Sequence, residues 1–465
     1  MFDAATYRAR RRTLLQQDRP ATGLVLLPGN TPSPRNYADN PHPFRQDSTF
    51  LYYFGHDRPH LCGVLDLDEG TASLYGRPST LEDAIWTGGT PSLQALADRV
   101  GAQKGGSLSV LGEALADARA LGRTIHFLPP YRDAQRLRYA RWLGGAPDEI
   151  GAQASEALAR AVIRQRSVKT DAEVAEIEDA LTVTARIHRA AQRHAVPGAT
   201  EQSLVGRMTG LLAAANRSFA FSPTCSIHGE VLHNHASPHT LAEGDLLLVD
   251  AGATSPRHYA GDITRVTPVG GRFTERQRAL YAAVLAAQEA ALEALAPGVP
   301  FVEVHRRAAH VLTEHLMELG LMQGAPAAAV AAGAHALFFP HGLGHMVGLD
   351  VHDMESLGED LVGYADDQSR SEQFGLNALR LARPLRPGYV VTVEPGCYFI
   401  PPLIERWRAE GRHEEFLRYD RVTEFLEMGG IRVEDDALIT ADGARVLGPS
   451  LPKSVDAVEA EAGAA

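Results

Sequence analysis

Residues 246–265 read Leu246-Leu247-Leu248-Val249-Asp250-Ala251-Gly252, then Ala253-Thr254-Ser255-Pro256-Arg257-His258, then Tyr259-Ala260-Gly261-Asp262-Ile263-Thr264-Arg265. An apolar run with a strand's composition ends in one acid, and the next strand begins with another. A hairpin of these two strands aims both carboxylates at one point. Burying an unpaired carboxylate is costly, so two acids in such a place call for a cation. Taken alone, Asp250 ahead of Ala251-Gly252 is as easily a turn former.

Two later stretches repeat the pattern. Thr392-Val393-Glu394-Pro395-Gly396 and Gly430-Ile431-Arg432-Val433-Glu434-Asp435-Asp436 each set an acid inside an apolar run. Glu394 could introduce a turn, and Glu434 could pair with Arg432. Between the hairpin and these acids lies His341-Gly342-Leu343-Gly344-His345-Met346-Val347-Gly348-Leu349-Asp350-Val351-His352-Asp353, with three histidines in one short loop. Imidazole ligates metals and moves protons near neutral pH.

Four carboxylates (Asp250, Asp262, Glu394, Glu434) and one imidazole (His345) are a sufficient set for two metal ions sharing bridging ligands. The set is oxygen-rich and holds no thiolate, which favours Mn²⁺, with Zn²⁺ or Co²⁺ as further candidates. Dications held this way acidify water, so the reading is a metal-dependent hydrolase.

The rest of the chain bounds this reading. It has 465 residues, enough for two or three domains, and is 45% hydrophobic and 22% charged, as expected of a soluble globular protein. A formal net charge of −12 gives no support to nucleic-acid binding. Three scattered cysteines, Cys62, Cys225 and Cys397, fit neither a disulfide framework nor a cysteine zinc site. They suit a reducing cytoplasm. Arg8, Arg10, Arg11 and Arg12 are not followed by a signal peptide's apolar region, and the Ala-rich segments 279–296 and 326–336 are interrupted by charge, Pro or Gly. No membrane partner is expected.

Residues 1–165 read as an N-terminal mixed α/β domain. Strands are expected at 24–27 and 63–67, and helices at 92–100, 113–121 and 133–142. A helix at 156–166 leads to a joint at Ser167-Val168-Lys169. The remainder, 166–465, reads as one catalytic domain of α+β character. Thr170-Asp171-Ala172-Glu173 is a capping box opening a helix to about His194. A second helix runs from Thr200 to about Ala215, and strands follow at 245–251 and 262–266. Helices at about 273–296 and 301–322 precede a strand-rich block at 390–439. The order helix, helix, strands is written twice, implying two similar halves with acids from both meeting in the middle. The stretch from Met354 to Asn377 reads as an acidic surface excursion able to gate the site, Pro256 as a hairpin tip, and Ser454 to Ala465 as a fraying end.

These motifs together resemble the pita-bread metallopeptidases, and among them the proline-specific branch of aminopeptidase P and prolidase. The resemblance covers most of the chain. It is most specific in Asp250-Ala251-Gly252, Gly261-Asp262-Ile263-Thr264-Arg265, the histidine loop and the Glu394 and Glu434 stretches. It is looser in Phe44–Gly55 and Trp86. It implies a pita-bread domain with pseudo-two-fold halves behind an N-terminal domain that serves oligomerisation and active-site closure. It also implies that Asp250 binds one metal, that His345 and Glu394 bind the other, and that Asp262 and Glu434 bridge them. His352 would steady the tetrahedral intermediate, and His233 and His341 would line the proline subsite. Arg432 would hold the bridging glutamate from behind the ligands, and Glu394 would shuttle a proton. The substrates implied are peptides with proline at position two, and the assembly a homodimer or homotetramer.

Arg380, in Leu379-Arg380-Leu381-Ala382-Arg383, resembles the prolidase arginine that captures a dipeptide's carboxylate. It could equally pair with an acid such as Glu372. Phe44–Gly55 leans toward aminopeptidase P, so an Xaa-Pro aminopeptidase is expected, with prolidase as the alternative. Creatinase shares the fold but lacks the five-residue set. Non-catalytic relatives used as binding modules lose it, and methionine aminopeptidases lack such an N-terminal domain. Trp86 is expected to be buried within its own domain rather than to close a neighbour's site.

Overall fold

A computed structural model describes residues 1–16, 20–234 and 239–462. The chain divides into two compact units, one of residues 1–166 with 356–358, the other of 167–355 and 359–465.

The first unit is built on five strands: β1 (Leu24–Pro28), β2 (Leu61–Asp66), β3 (Thr71–Gly76), β4 (Lys104–Ser107) and β5 (Ile125–Phe127). Their order is β4-β3-β2-β1-β5. The pairs β1–β2 and β2–β3 are antiparallel, while β1–β5 and β3–β4 are parallel, so the sheet is mixed. Its core joins Leu26, Val64 and Tyr75 to Leu111 and Leu115 of the helix Leu108–Ala120, with Phe127 and Tyr139. The arginine run lies on an unforeseen helix, Ala4–Gln16. Arg10 and Arg11 are buried there, donating to the carbonyls of Tyr52 and Tyr53. Trp86 contradicts expectation. It ends a short helix, Leu81–Trp86, with no buried residue, and is 79% exposed. Leu81 and Ile85 flank it in the open, so this helix has no core to pack into.

The second unit follows the double pattern. The capping box at Thr170 forms as expected, with Glu173 Oε2 accepting from the Thr170 amide and hydroxyl. It opens the helix Asp171–Arg193, and Glu201–Ala214 follows. Three antiparallel strands come next, β6 (Thr224–Ser226), β7 (Leu246–Ala251) and β8 (Ile263–Pro268), in the order β6-β7-β8. Helices Glu275–Ala294 and Phe301–Glu318 then precede β9 (Val390–Val393), β10 (Gly396–Tyr398), β11 (Gly430–Arg432), β12 (Asp435–Ile439) and β13 (Ala444–Val446). One core of this unit packs Ile187, Leu204 and Met208 against Leu247, Val249 and Ala251.

Two expectations are corrected. The stretch from Met354 to Asn377 is no free excursion. Its Val362 and Tyr364 are buried, and the Tyr364 hydroxyl donates to the Leu379 carbonyl just beyond it. Val455–Ala462 at the C-terminus is a helix, held by Glu459, which accepts from Arg272, Arg278 and the Phe273 amide. Residues 463–465 lie outside the described residues, as does His235. No helix among the described residues is long and apolar enough to cross a membrane.

Candidate metal centre

Strand register explains why the acids converge. Asp250 on β7 stands opposite Thr264 on β8. Asp262 precedes Thr264 by two residues, so alternation puts it on the same face, diagonal to Asp250. The hairpin tip turns at Ser255-Pro256-Arg257-His258, closed by the Ser255 amide donating to the Tyr259 carbonyl. On the other side, Val393 of β9 pairs with Asp435 of β12, and Gly396 of β10 pairs with Arg432 of β11. These pairs share one register, which sets Glu394 opposite Glu434.

The two ladders are stitched together. The Glu434 amide donates to the Thr264 carbonyl at 3.1 Å, and the Thr264 hydroxyl donates to Glu434 Oε2 at 2.6 Å. Arg265, buried on β8, donates to the Glu434 carbonyl and forms an ion pair of 2.6 Å with buried Asp435. The histidine loop is pinned against β9: the Thr392 amide donates to the His345 carbonyl, and the Glu394 amide to the Leu343 carbonyl. Gly344 allows this approach, because a Cβ there would lie 2.2 Å from the Thr392 carbonyl oxygen.

Ligand atoms of Asp262, His345 and Glu434 lie within 4.8 Å of one another, and all three residues are buried. His345 Nε2 is 3.6 Å from Asp262 Oδ2 and 3.7 Å from Glu394 Oε1. Its Nδ1 faces the Met346 carbonyl at 3.2 Å. That contact puts the proton on Nδ1 and turns the Nε2 lone pair toward the acids, the arrangement of a metal-ligating histidine. Burial pushes the His345 pKa down to about 3, so the ring is neutral.

The carboxylates are strained by each other's company. Burial, then Glu434 and Asp250, push Asp262 well above the usual carboxylate range. Burial, then Glu394 and Asp250, do the same to Glu434. Burial pushes Glu394 up to about 7; Asp250 adds to the rise while Arg432 opposes it. Asp262 Oδ1 is buried without a hydrogen-bond partner. A buried acceptor with no donor and mutually repelling acids are what a bound cation would relieve. The donor set therefore fits divalent metal.

A cavity of about 470 Å³ opens onto these residues. All the expected site residues line it: Asp250, Asp262, His345, Glu394 and Glu434, with His233, His341, His352, Arg380 and Arg432. His352 stacks on His345 with ring centres 3.9 Å apart, and its Nδ1 meets Glu355 Oε2 at 3.0 Å. Burial, then Arg380, lower its pKa to about 4.

Arg432 stands behind the glutamate and also meets Asp250. It donates directly to Asp250 Oδ2 at 2.5 Å and reaches Glu434 only through the Thr264 hydroxyl, 3.2 Å from its Nε. Arg380 does not meet Glu372; its Nη1 bonds Glu355 at 2.6 Å and Glu359 at 2.7 Å.

Two residues escaped sequence reading. The Tyr398 hydroxyl accepts from Arg432 Nη1 at 2.8 Å and sits 2.9 Å from His341 Nε2. Since His341 Nδ1 faces the Gly342 carbonyl, the tyrosine proton points to Nε2. Burial and then Arg432 push the His341 pKa down to about 3. Thr264 is the other, joining Arg432 to Glu434. Tyr398 follows Glu394-Pro395-Gly396 closely, but only the folded chain, in which its amide donates to the Phe338 carbonyl, brings it to His341.

Residues 175–441 match metallopeptidase family M24, and residues 7–126 match the aminopeptidase P N-terminal domain. The chain is 30% identical over 462 residues to the Xaa-Pro dipeptidase of Homo sapiens, covering 95% of this chain and 88% of that protein. It is 30% identical over 468 residues to the Xaa-Pro aminopeptidase of Escherichia coli K12, covering 98% and 96%. Among solved structures it is similar to a variant of Escherichia coli aminopeptidase P in complex with substrate. That match has a TM-score of 0.82 and 27% identity, and covers 100% of this chain and 99% of that one.

Proposed function

The chain belongs to metallopeptidase family M24, and from that premise we propose that it is an Xaa-Pro aminopeptidase, a metal-dependent exopeptidase that removes the residue ahead of a penultimate proline. The observation that carries the reading is the convergence of Asp250, Asp262, His345, Glu394 and Glu434 on one cavity. These five side chains are assigned to two divalent ions, with Mn²⁺ favoured by the oxygen-rich set. When bound, such ions acidify water and polarise the scissile carbonyl.

The chain's own groups do the rest. Glu394 takes a proton from the attacking water as its oxygen bonds the carbonyl carbon. It returns that proton to the proline nitrogen as the carbon–nitrogen bond breaks. A carboxyl poised to exchange protons near neutral pH suits both steps. His352 is assigned to the tetrahedral intermediate, and His233 and His341 to the wall that receives the pyrrolidine ring. The Xaa-Pro bond has no N–H, so this wall of imidazole and apolar groups such as Phe221 and Leu232 is chemically suited to it. Arg432 and Tyr398 position Asp250 and His341.

Residues 1–165 are assigned to self-association as a dimer or tetramer, supported by the exposed Leu81, Ile85 and Trp86. Residues 166–465 are assigned to catalysis.

The test is hydrolysis of Arg-Pro-Pro and Gly-Pro at fixed Mn²⁺. The expected result is release of free arginine from the tripeptide. Cleavage of Gly-Pro with the tripeptide untouched makes the enzyme an Xaa-Pro dipeptidase instead.

A further inference from the structure

Two arginines, Arg380 and Arg432, line the cavity among the described residues, and each is held by carboxylate. Arg432 is buried against Asp250. Arg380 is about one-third exposed, and Glu355 and Glu359 hold its Nη1. Glu359 is fixed in turn by Arg370, which also bonds Asp360 at 2.7 Å. This cluster joins two arginines to three carboxylates. An Xaa-Pro dipeptide carries its free carboxylate on the proline itself, so binding brings another anion to this wall. A longer peptide brings a neutral carbonyl.

We propose that Glu355 and Glu359 are specificity-determining residues: by occupying Arg380 they withhold it from a substrate carboxylate, and so favour peptides that continue past proline over dipeptides ending in it. The inference rests on the Xaa-Pro reading and adds the group that sets substrate length.

The test measures kcat and KM of the Mn²⁺-loaded enzyme on Gly-Pro, Gly-Pro amide and Gly-Pro-Ala. The wild type is expected to cleave the amide better than the acid, and Arg380→Ala to leave the KM for Gly-Pro within about twofold. Glu359→Gln frees one charge-assisted contact, so its KM for Gly-Pro is expected to fall about tenfold. Neither the amide nor the tripeptide should share that gain. Adding Arg380→Ala to Glu359→Gln should erase it. If the glutamine variant does not fold, the acid–amide comparison and Arg380→Ala still decide. Preference for the acid over the amide overturns the inference. So does a tenfold rise in the Gly-Pro KM on Arg380→Ala. Both leave the Xaa-Pro reading standing. No hydrolysis of any of the three peptides overturns both.

Discussion

Glu434 shows how one residue carries the site. It faces Glu394 across the ladder, lies beside Asp262, and is held by the Thr264 hydroxyl. No neighbouring carboxylate can take its place without breaking that register. Glu434→Ala is expected to lower kcat/KM on Arg-Pro-Pro by well over about a hundredfold, the loss seen when only groups behind the ligands are removed. Retained turnover would place the site elsewhere.

Glu394 gives a pH prediction. Its folded pKa, about 7, lies above the ordinary 4.5. The folded state therefore binds more protons than the unfolded one between these values. For an acid shifted this way, stability is fully present below about 4.5 and is lost as pH rises through about 7. Thermal melts of metal-free protein should show Tm falling over that window. Glu394→Gln should flatten the fall, and Mn²⁺ should oppose it by holding the carboxylates ionised. A metal-free Tm that rises across the window, and is unaffected by Glu394→Gln, would contradict this. At this scale the sequence was most legible. An acid inside an apolar run is conspicuous, whereas Tyr398 and Thr264 look like ordinary strand residues until the fold brings them to His341 and Glu434.

At the scale of elements, the site depends on a loop pinned to a strand. Gly344 lets the histidine loop touch β9, and no side chain fits there. Gly344→Ala is expected to cost about 1–3 kcal/mol, as overpacking does. It should also weaken Mn²⁺ binding by displacing His345. Denaturant melts and Mn²⁺ titration read the two effects, and unchanged values in both would refute the pinning. Long amphipathic helices and the Thr170 capping box were legible because their signals are local. The strands β3, β4 and β5 and the helix Ala4–Gln16 were not. The strands β4 and β5 are short, β3 carries Thr71 and Ser73 in place of an unbroken apolar run, and the helix hides its arginines by satisfying carbonyls far along the chain. Trp86 failed for another reason: tryptophan is ordinarily buried, but its helix leaves Leu81, Ile85 and Trp86 in the open.

At the scale of the molecule, the double order of two helices then strands makes one centre from parts distant in sequence. Asp250 and Asp262 come from the first half, and Glu394 and Glu434 from the second. Arg265 ties them by bonding Asp435 and the Glu434 carbonyl. That convergence was legible as a pattern, but its closeness was not, because register is set by pairing across more than 160 residues. The central claim is that this convergence holds catalytic metal. The most direct measurement is hydrolysis of Arg-Pro-Pro after exhaustive chelation, then with Mn²⁺ added back. Activity should fall to background and return with the metal in the wild type, but not in Asp262→Asn. Undiminished hydrolysis by metal-stripped protein would contradict the account.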